Sequence, residues 1–421
     1  MKTAPQRSPW ISRLLLVSGA GMALVYSGYI LAWVRTSGTG EDSFVEIAIA
    51  LAAGMGMLFA ASYKRAVSLT IYQVLYLLPI LLYFLVSLSA AYYYQDTKIF
   101  LWLLFGLVYL ALMSQADIAR SRVVDGFLLV GLIELMFFLA FNREAIFSYT
   151  GGRGRVSFDN SAYTLTAYAI AGGTLAALYS MVFMGKAWLR SAVVLGLSII
   201  VILGSGTRSV LVGLAAAVFC LYFLNRISRS TLRRVVVYTG AAFVFAALVF
   251  STVPSLRDRL ANTIDLMMSG LSTLSGDQSD FEQSAHGRRI SREIGIDNFT
   301  NNPLTGAGYR TRQLDFPLLQ SYQDFGMVFG VAFTFAFLVL PYLVAFTAFR
   351  RGTDSEKFIA ALFVLNSPRL FLHGTSYDWV TFTFVVPVYS VLLNRPEWGL
   401  LFSRRGRRIS PLRKEALNAE R

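Results

Sequence analysis

Apolar residues in this chain are gathered into long runs, among them 11–34, 69–94 and 325–349. A helix needs about 20 residues to cross the roughly 30 Å hydrocarbon core of a bilayer, and each of these runs is long enough. Inside lipid every backbone N–H and C=O must find an internal partner, so runs of this length are helices. A soluble enzyme is excluded. So is an outer-membrane barrel, whose strands take only about 10 residues each. Composition agrees: 15% of the residues are charged, against about 25% in soluble domains.

The runs place spans near 11–34, 44–61, 69–94, 99–116, 123–141, 162–184, 191–206, 209–224, 235–253, 325–349, 358–372 and 380–394. The expected architecture is all-α, a polytopic membrane helix bundle of about 12 transmembrane helices. The first run follows Lys2, Arg7 and Arg13 in the manner of a signal peptide. It is too long for an h-region and reads as a retained anchor. Cys220 is the single cysteine, so no internal disulfide forms, and two histidines with one cysteine give no structural zinc site.

The formal net charge is +14. Counted by side, the face that carries both termini holds 24 of the 38 Lys and Arg residues. By the positive-inside rule that face is cytoplasmic. The other 14 are concentrated differently. Seven of them, Arg257, Arg259, Arg288, Arg289, Arg292, Arg310 and Arg312, lie in one hydrophilic stretch, 254–324. The chain then divides into helices one to nine (1–253), a large partly helical external loop (254–324), helices ten to twelve (325–394) and a basic tail (395–421). Long loops without a separate fold are usually functional or disordered.

Several features can carry chemistry. Gly204-Ser205-Gly206-Thr207-Arg208 is a tight turn between two apolar runs, and it leaves Arg208 at the external surface, either snorkelling to headgroups or meeting an anion. Ser284 to Ile294 reads as a helix with Arg288 and Arg292 on one face and Arg289 able to pair with Glu293. Guanidinium forks match phosphate oxygens, although a surface helix drawn to anionic headgroups has the same look. Arg369 follows Pro368 within a span, and His373 and Asp378 come soon after, in what is otherwise an interfacial Trp/Tyr belt. Glu134 sits inside the fifth span, a proton or ion site or simply a paired acid. Glu41-Asp42 is a weak acidic pair. Asp-x-Asp, P-loop, dinucleotide and His-Glu-x-x-His motifs are absent, so nucleotide-sugar, ATP and metalloprotease chemistry have no support.

In this arrangement the chain resembles the bacterial O-antigen polymerase and ligase family. The residues that carry the resemblance are Ser205-Gly206-Thr207-Arg208 ahead of the loop, then Arg288 within it. They continue with Asn301-Asn302-Pro303-Leu304-Thr305-Gly306-Ala307-Gly308 and the Gly-containing re-entry Asp324-Phe325-Gly326-Met327-Val328-Phe329-Gly330. The likeness covers about 200–335 and the overall topology. Many members carry His-Asn shortly before the re-entering helix, and the ligase branch is proposed to use that histidine in catalysis. Here 314–323 contains none.

The resemblance implies glycosyl transfer from an undecaprenyl-diphosphate-linked glycan at the periplasmic face of the bacterial inner membrane, with both termini cytoplasmic. A polymerase passes the chain to a new lipid-linked repeat unit; a ligase passes it to lipid A-core. Arg208 and Arg288 would hold the diphosphate, with Arg289, Arg292 or Arg369 in support. A base would come from Asp315, Asp324, His286 or His373. Neither metal nor cofactor is called for. The expected partners are the lipid-linked donor and acceptor, the bilayer and a chain-length regulator, not nucleic acid. A lipid-glycan flippase is the rival from another class, but few charges line the spans and the halves show no repeat.

Overall fold

The computed structural model describes residues 9–27, 42–62, 69–147, 162–186, 188–205, 207–224, 283–372, 376–377 and 379–395, with scattered positions between 231 and 265. The helices, in chain order, begin with α1 (Pro9–Ser27), α2 (Asp42–Ser62), α3 (Ile71–Tyr93), α4 (Thr97–Gln115) and α5 (Val123–Phe147). Next come α6 (Ala162–Leu178), which runs on as a π-helical turn (Tyr179–Met184), α7 (Trp188–Ser205), α8 (Arg208–Phe223) and α9 (Gln283–Asn301). The last group is α10 (Pro317–Thr334), a second π turn (Phe335–Val339), α11 (Leu340–Arg351), α12 (Asp354–Asn366), α13 (Arg369–Leu372) and α14 (Trp379–Leu393). No strand occurs among the described residues. The protein is an all-α, multi-pass membrane helix bundle.

Among the described residues six segments are long and apolar enough to cross a membrane: Trp10–Ser27, Ile71–Tyr93, Thr97–Gln115, Val123–Ala140, Thr166–Met184 and Pro317–Arg351. Four shorter apolar helices, Ala48–Ala61, Trp188–Ile202, Arg208–Phe223 and Trp379–Leu393, accompany them. Two details differ from the hydropathy reading. The helix expected at 325–349 starts at Pro317 and runs to Arg351 through the second π turn. The span expected at 358–372 divides into α12 and α13, because Pro368 has no N–H to continue the ladder. Most of the span expected at 235–253 lies outside the described residues.

Lipid tails are as apolar as leucine, so helix association in a bilayer rests on close packing, which small residues allow. Gly131 of α5 faces Gly173 of α6, Gly21 of α1 faces Gly54 of α2, and Gly213 of α8 abuts the Leu365 carbonyl of α12. Around these crossings an aromatic core centres on Tyr83, whose ring contacts Phe84, Phe329, Phe333, Phe337 and Phe382.

One end of the bundle is closed by polar contacts. Glu356, 0% exposed, accepts from Arg395 Nε and Nη2 at 2.7 and 2.9 Å and from the Thr353 amide, which caps α12. The Arg122 amide donates to the Leu15 carbonyl, Ser355 Oγ to the Ser121 carbonyl, and Tyr179 OH to Asp354 at 3.1 Å. Asn394 donates to the Ala116 carbonyl at 2.7 Å. The opposite end carries α9 and the 303–314 turn.

Candidate functional site

Gly326 breaks α10 with φ 77° and ψ −171°, a conformation that an L side chain disfavours. In an uninterrupted helix the Met327 amide would donate to the Gln323 carbonyl. Here Met327 donates instead to the Pro303 carbonyl (2.8 Å), and the Gln323 carbonyl accepts from the Ala307 amide (2.6 Å). The Pro-Leu-Thr-Gly-Ala-Gly turn thus satisfies both halves of the missing helical bond. Backbones come so close that a Cβ on Gly306 would meet Asp324 and Phe325 main-chain atoms, and one on Gly326 would meet the Leu304 carbonyl. The glycine-rich turn is a structural interlock with the re-entering helix.

Side chains extend that interlock. Asp324, 1% exposed, accepts from Tyr377 OH at 2.7 Å, from Gln323 Nε2 at 3.0 Å and from Gln320 Nε2 at 3.3 Å. Both glutamine amides also donate to the Arg312 carbonyl. Tyr309 stacks on Tyr94, contacts Tyr377, and donates with Arg310 to Asp96, the N-cap of α4. Burial first, then the neighbouring carboxylates, push both the Tyr309 and Tyr377 hydroxyls above the ordinary phenol range, so both remain donors at neutral pH. Asn298 of α9 donates to Gln323 Oε1 at 3.1 Å, Phe299 packs edge-on against Tyr322, and Gly295 admits Leu314 and Leu319. These contacts dock the C-terminal half of α9 on α10.

Deeper in the bundle lies a second polar layer. Arg369, 3% exposed, holds its guanidinium carbon 5.1 Å from the Tyr168 ring centroid. The Tyr168 hydroxyl lies beside Ser209, the residue after Arg208. Gly213 marks the level of Leu365, so Arg208, five residues earlier on α8, stands about 7.5 Å nearer the turn-bearing end. Arg369 follows Leu365 by four residues and is directed the same way. Tyr26 donates to the Tyr168 carbonyl (2.9 Å) and exchanges hydrogen bonds with Asn366, while Arg369 and Glu134 both lie within electrostatic reach of its hydroxyl. Glu134 itself accepts from Ser27 Oγ at 2.8 Å.

The sequence candidates therefore part company. Arg369 lies over the Tyr168 ring, and Arg208 adjoins Ser209 beside the Tyr168 hydroxyl. Arg289 pairs with Glu293 at 3.2 Å, as its spacing suggested, and Arg292 is exposed with no ion pair among the described residues. Both stand on α9, N-terminal to its docking contacts. Asp315 is exposed on the bend before α10. Asp324, the base candidate nearest in sequence to the family's histidine position, is occupied as a structural acceptor. Arg288 and His286 fall on the first turns of α9 with side chains outside the described residues, and His373, Asp378 and Glu41 lie outside them altogether. Sequence reasoning missed Asp96, Tyr309 and Tyr377. The Thr97 helix start after Asp96 was a readable N-cap signal, but nothing local joins Asp96 to Arg310.

Residues 192–334, from α7 through the whole of α10, match the family model described as O-antigen ligase. Over this stretch the chain is similar to the O-antigen ligase family. The match spans Arg208, α9, the glycine turn and the Gly326 break, and so joins the two regions that hold the candidate cations. The likeness supports a glycosyl-transferring role, as lipid-linked glycan polymerase or ligase. No curated protein matches the chain.

Proposed function

We propose that the chain is a metal-independent glycosyltransferase of the bacterial inner membrane. It polymerises undecaprenyl-diphosphate-linked repeat units into O-antigen, capsule or exopolysaccharide at the periplasmic face. The observation that carries this reading is that Arg369 stands over the Tyr168 ring while Ser209, the neighbour of Arg208, lies beside the Tyr168 hydroxyl. A buried Arg369 and a half-buried Arg208 suit a diphosphate whose charge grows as the glycosidic bond breaks, because fixed donors stabilise developing charge best where water is excluded. Arg288, Arg289 and Arg292 of α9 add diphosphate-binding capacity from the loop.

In the reaction an acceptor hydroxyl attacks the anomeric carbon. The new C–O bond forms as the bond to diphosphate breaks, and lipid diphosphate leaves with the electron pair. The hydroxyl proton passes to a base, for which the sequence offers Asp315, His286 and His373. The family description favours a ligase. The stretch 314–323 favours a polymerase, because it lacks the histidine proposed for ligases and fills that place with the structural amides Gln320 and Gln323. A chain-length regulator would be a partner of the polymerase.

The test supplies purified protein with lipid-diphosphate-linked repeat units, alone or with lipid A-core. A ladder of longer glycans from repeat units alone is expected. Transfer to lipid A-core without a ladder would make the protein a ligase, and neither product would overturn the assignment.

A further inference from the structure

Three acids are deeply buried among the described residues: Glu134, Asp324 and Glu356. Two are saturated. Asp324 accepts from Tyr377, Gln320 and Gln323, and Glu356 accepts from Arg395 and the Thr353 amide. Glu134 differs. At 1% exposure its Oε1 accepts from Ser27 alone, and its Oε2 has no hydrogen-bond partner among the described residues. An intramembrane carboxyl without a cationic partner is costly to keep, and such residues usually serve a pathway or a reaction.

Its position adds the second argument. Glu134 lies twelve residues along α5 from Arg122, whose amide is tied to Leu15 at the paired end, so it stands about 18 Å into the bundle towards the turn-bearing end. That brings it to the level of Tyr26, Tyr168, Asn366 and Arg369. The charged and titratable groups of the elements packed on this layer are Tyr26 of α1, Tyr168 of α6, Arg369 of α13 and Arg208 of α8. The titratable groups of α7 and α12, namely Arg190 and Asp354, Glu356 and Lys357, lie towards the other end. Among the described residues Glu134 is the acid of a layer otherwise made of cations, hydroxyls and the Asn366 amide.

Resting on the glycosyl-transfer reading, we infer that Glu134 is the proton acceptor of the reaction. As the acceptor hydroxyl bonds to the anomeric carbon, its proton passes to Glu134 Oε2, while the lipid diphosphate leaves against Arg208 and Arg369. Ser27 holds Oε1 and thereby aims Oε2. Glu134→Gln keeps the Ser27 contact and removes only the basic oxygen, which separates chemistry from packing. Asp315 is exposed and Asp324 is saturated, so neither matches this environment.

The experiment uses full-length protein in nanodiscs with undecaprenyl-diphosphate-linked repeat units extracted from cells lacking the protein. Affinity is measured separately with undecaprenyl diphosphate. General-base contributions are typically about 100-fold or more, so Glu134→Gln should lower the elongation rate by at least about 100-fold. Its undecaprenyl diphosphate affinity should stay within about threefold of wild type, and Glu134→Asp should elongate slowly with a displaced pH–rate curve. A Glu134→Gln rate within about threefold of wild type overturns the inference. Parallel loss of affinity and rate also overturns it, since that marks a structural role. Wild-type protein that forms no glycosidic bond, to repeat units or to lipid A-core, overturns the glycosyl-transfer reading itself, an outcome distinct from both.

Discussion

The two ends of the bundle solve the same problem, how to bury polar groups, by opposite means. At the paired end opposite charges meet. Glu356 takes a bidentate Arg395, Arg122 pairs with Asp125 at 2.6 Å, and Arg120 approaches Asp117. At the turn-bearing end Arg310 also pairs with Asp96, but the buried carboxylate Asp324 is held by neutral donors, and Arg369 of α13 lies over the Tyr168 ring. Paired charges stabilise a fixed structure and have little left to offer a ligand. The difference can be tested from either end.

The largest expected effect falls on the cations. Arg208→Ala should lower glycan elongation by a factor of about 10²–10³, the usual cost of losing one donor to developing charge, while thermal stability changes little. Normal chain lengths in this variant would remove Arg208 from the site. Next in size is the interlock. Gly326→Ala puts a Cβ into the Leu304 carbonyl at a positive φ, and strain with backbone displacement should cost about 3 kcal/mol. A fall in melting temperature together with protease sensitivity near 303–308 would report it. An unchanged melting curve would mean the turn and helix are not coupled. At the paired end, Glu356→Gln strips a mostly buried guanidinium of its counter-charge. The cost should be about 2–3 kcal/mol, below the full penalty for a buried pair because Arg395 retains partial exposure. Elongation per folded molecule should be unaffected, and a loss of activity beyond the loss of folded protein would blur the contrast between the ends.

What the sequence revealed follows the range of the interactions. Apolar runs and the order of loops gave the helical class, because lipid imposes one solution on any segment that crosses it. The Arg289–Glu293 pair was legible at its four-residue spacing, whereas Pro368 reads as lying within a continuous span that it in fact divides. The glycines at 306, 308 and 326 were visible as a motif, but their reason was not. Two hydrogen bonds, Met327 to Pro303 and Ala307 to Gln323, exist only once the turn meets the helix. Asp96 with Arg310, or Glu134 with Tyr26 and Arg369, are further still from any local pattern. Asp324 looked like a base because unfolded sequence does not show that Tyr377 and two glutamines already occupy it.

The smallest effect probes how the turn-bearing end holds its one buried acid. Tyr377→Phe removes a 2.7 Å donor from Asp324 but leaves both glutamine amides in place. The loss should be about 1–1.5 kcal/mol, that of one charge-assisted hydrogen bond with partial compensation. Its pH dependence identifies the cause. Burial, and then Asp324, raise the Tyr377 hydroxyl well above its ordinary value of 10. A raised value means the folded state keeps the proton after the unfolded chain has released it. The tyrosine's contribution is therefore complete below about pH 10 and declines as pH rises above it. Phenylalanine has no proton to lose, so the stability gap between wild type and Tyr377→Phe should be constant from pH 7 to about 10 and narrow beyond. Melting curves in that range read it directly. A gap that stays constant above pH 10 would mean that the folded protein releases the Tyr377 proton as readily as the unfolded chain, so that the hydroxyl is neither sealed from water nor bound to Asp324.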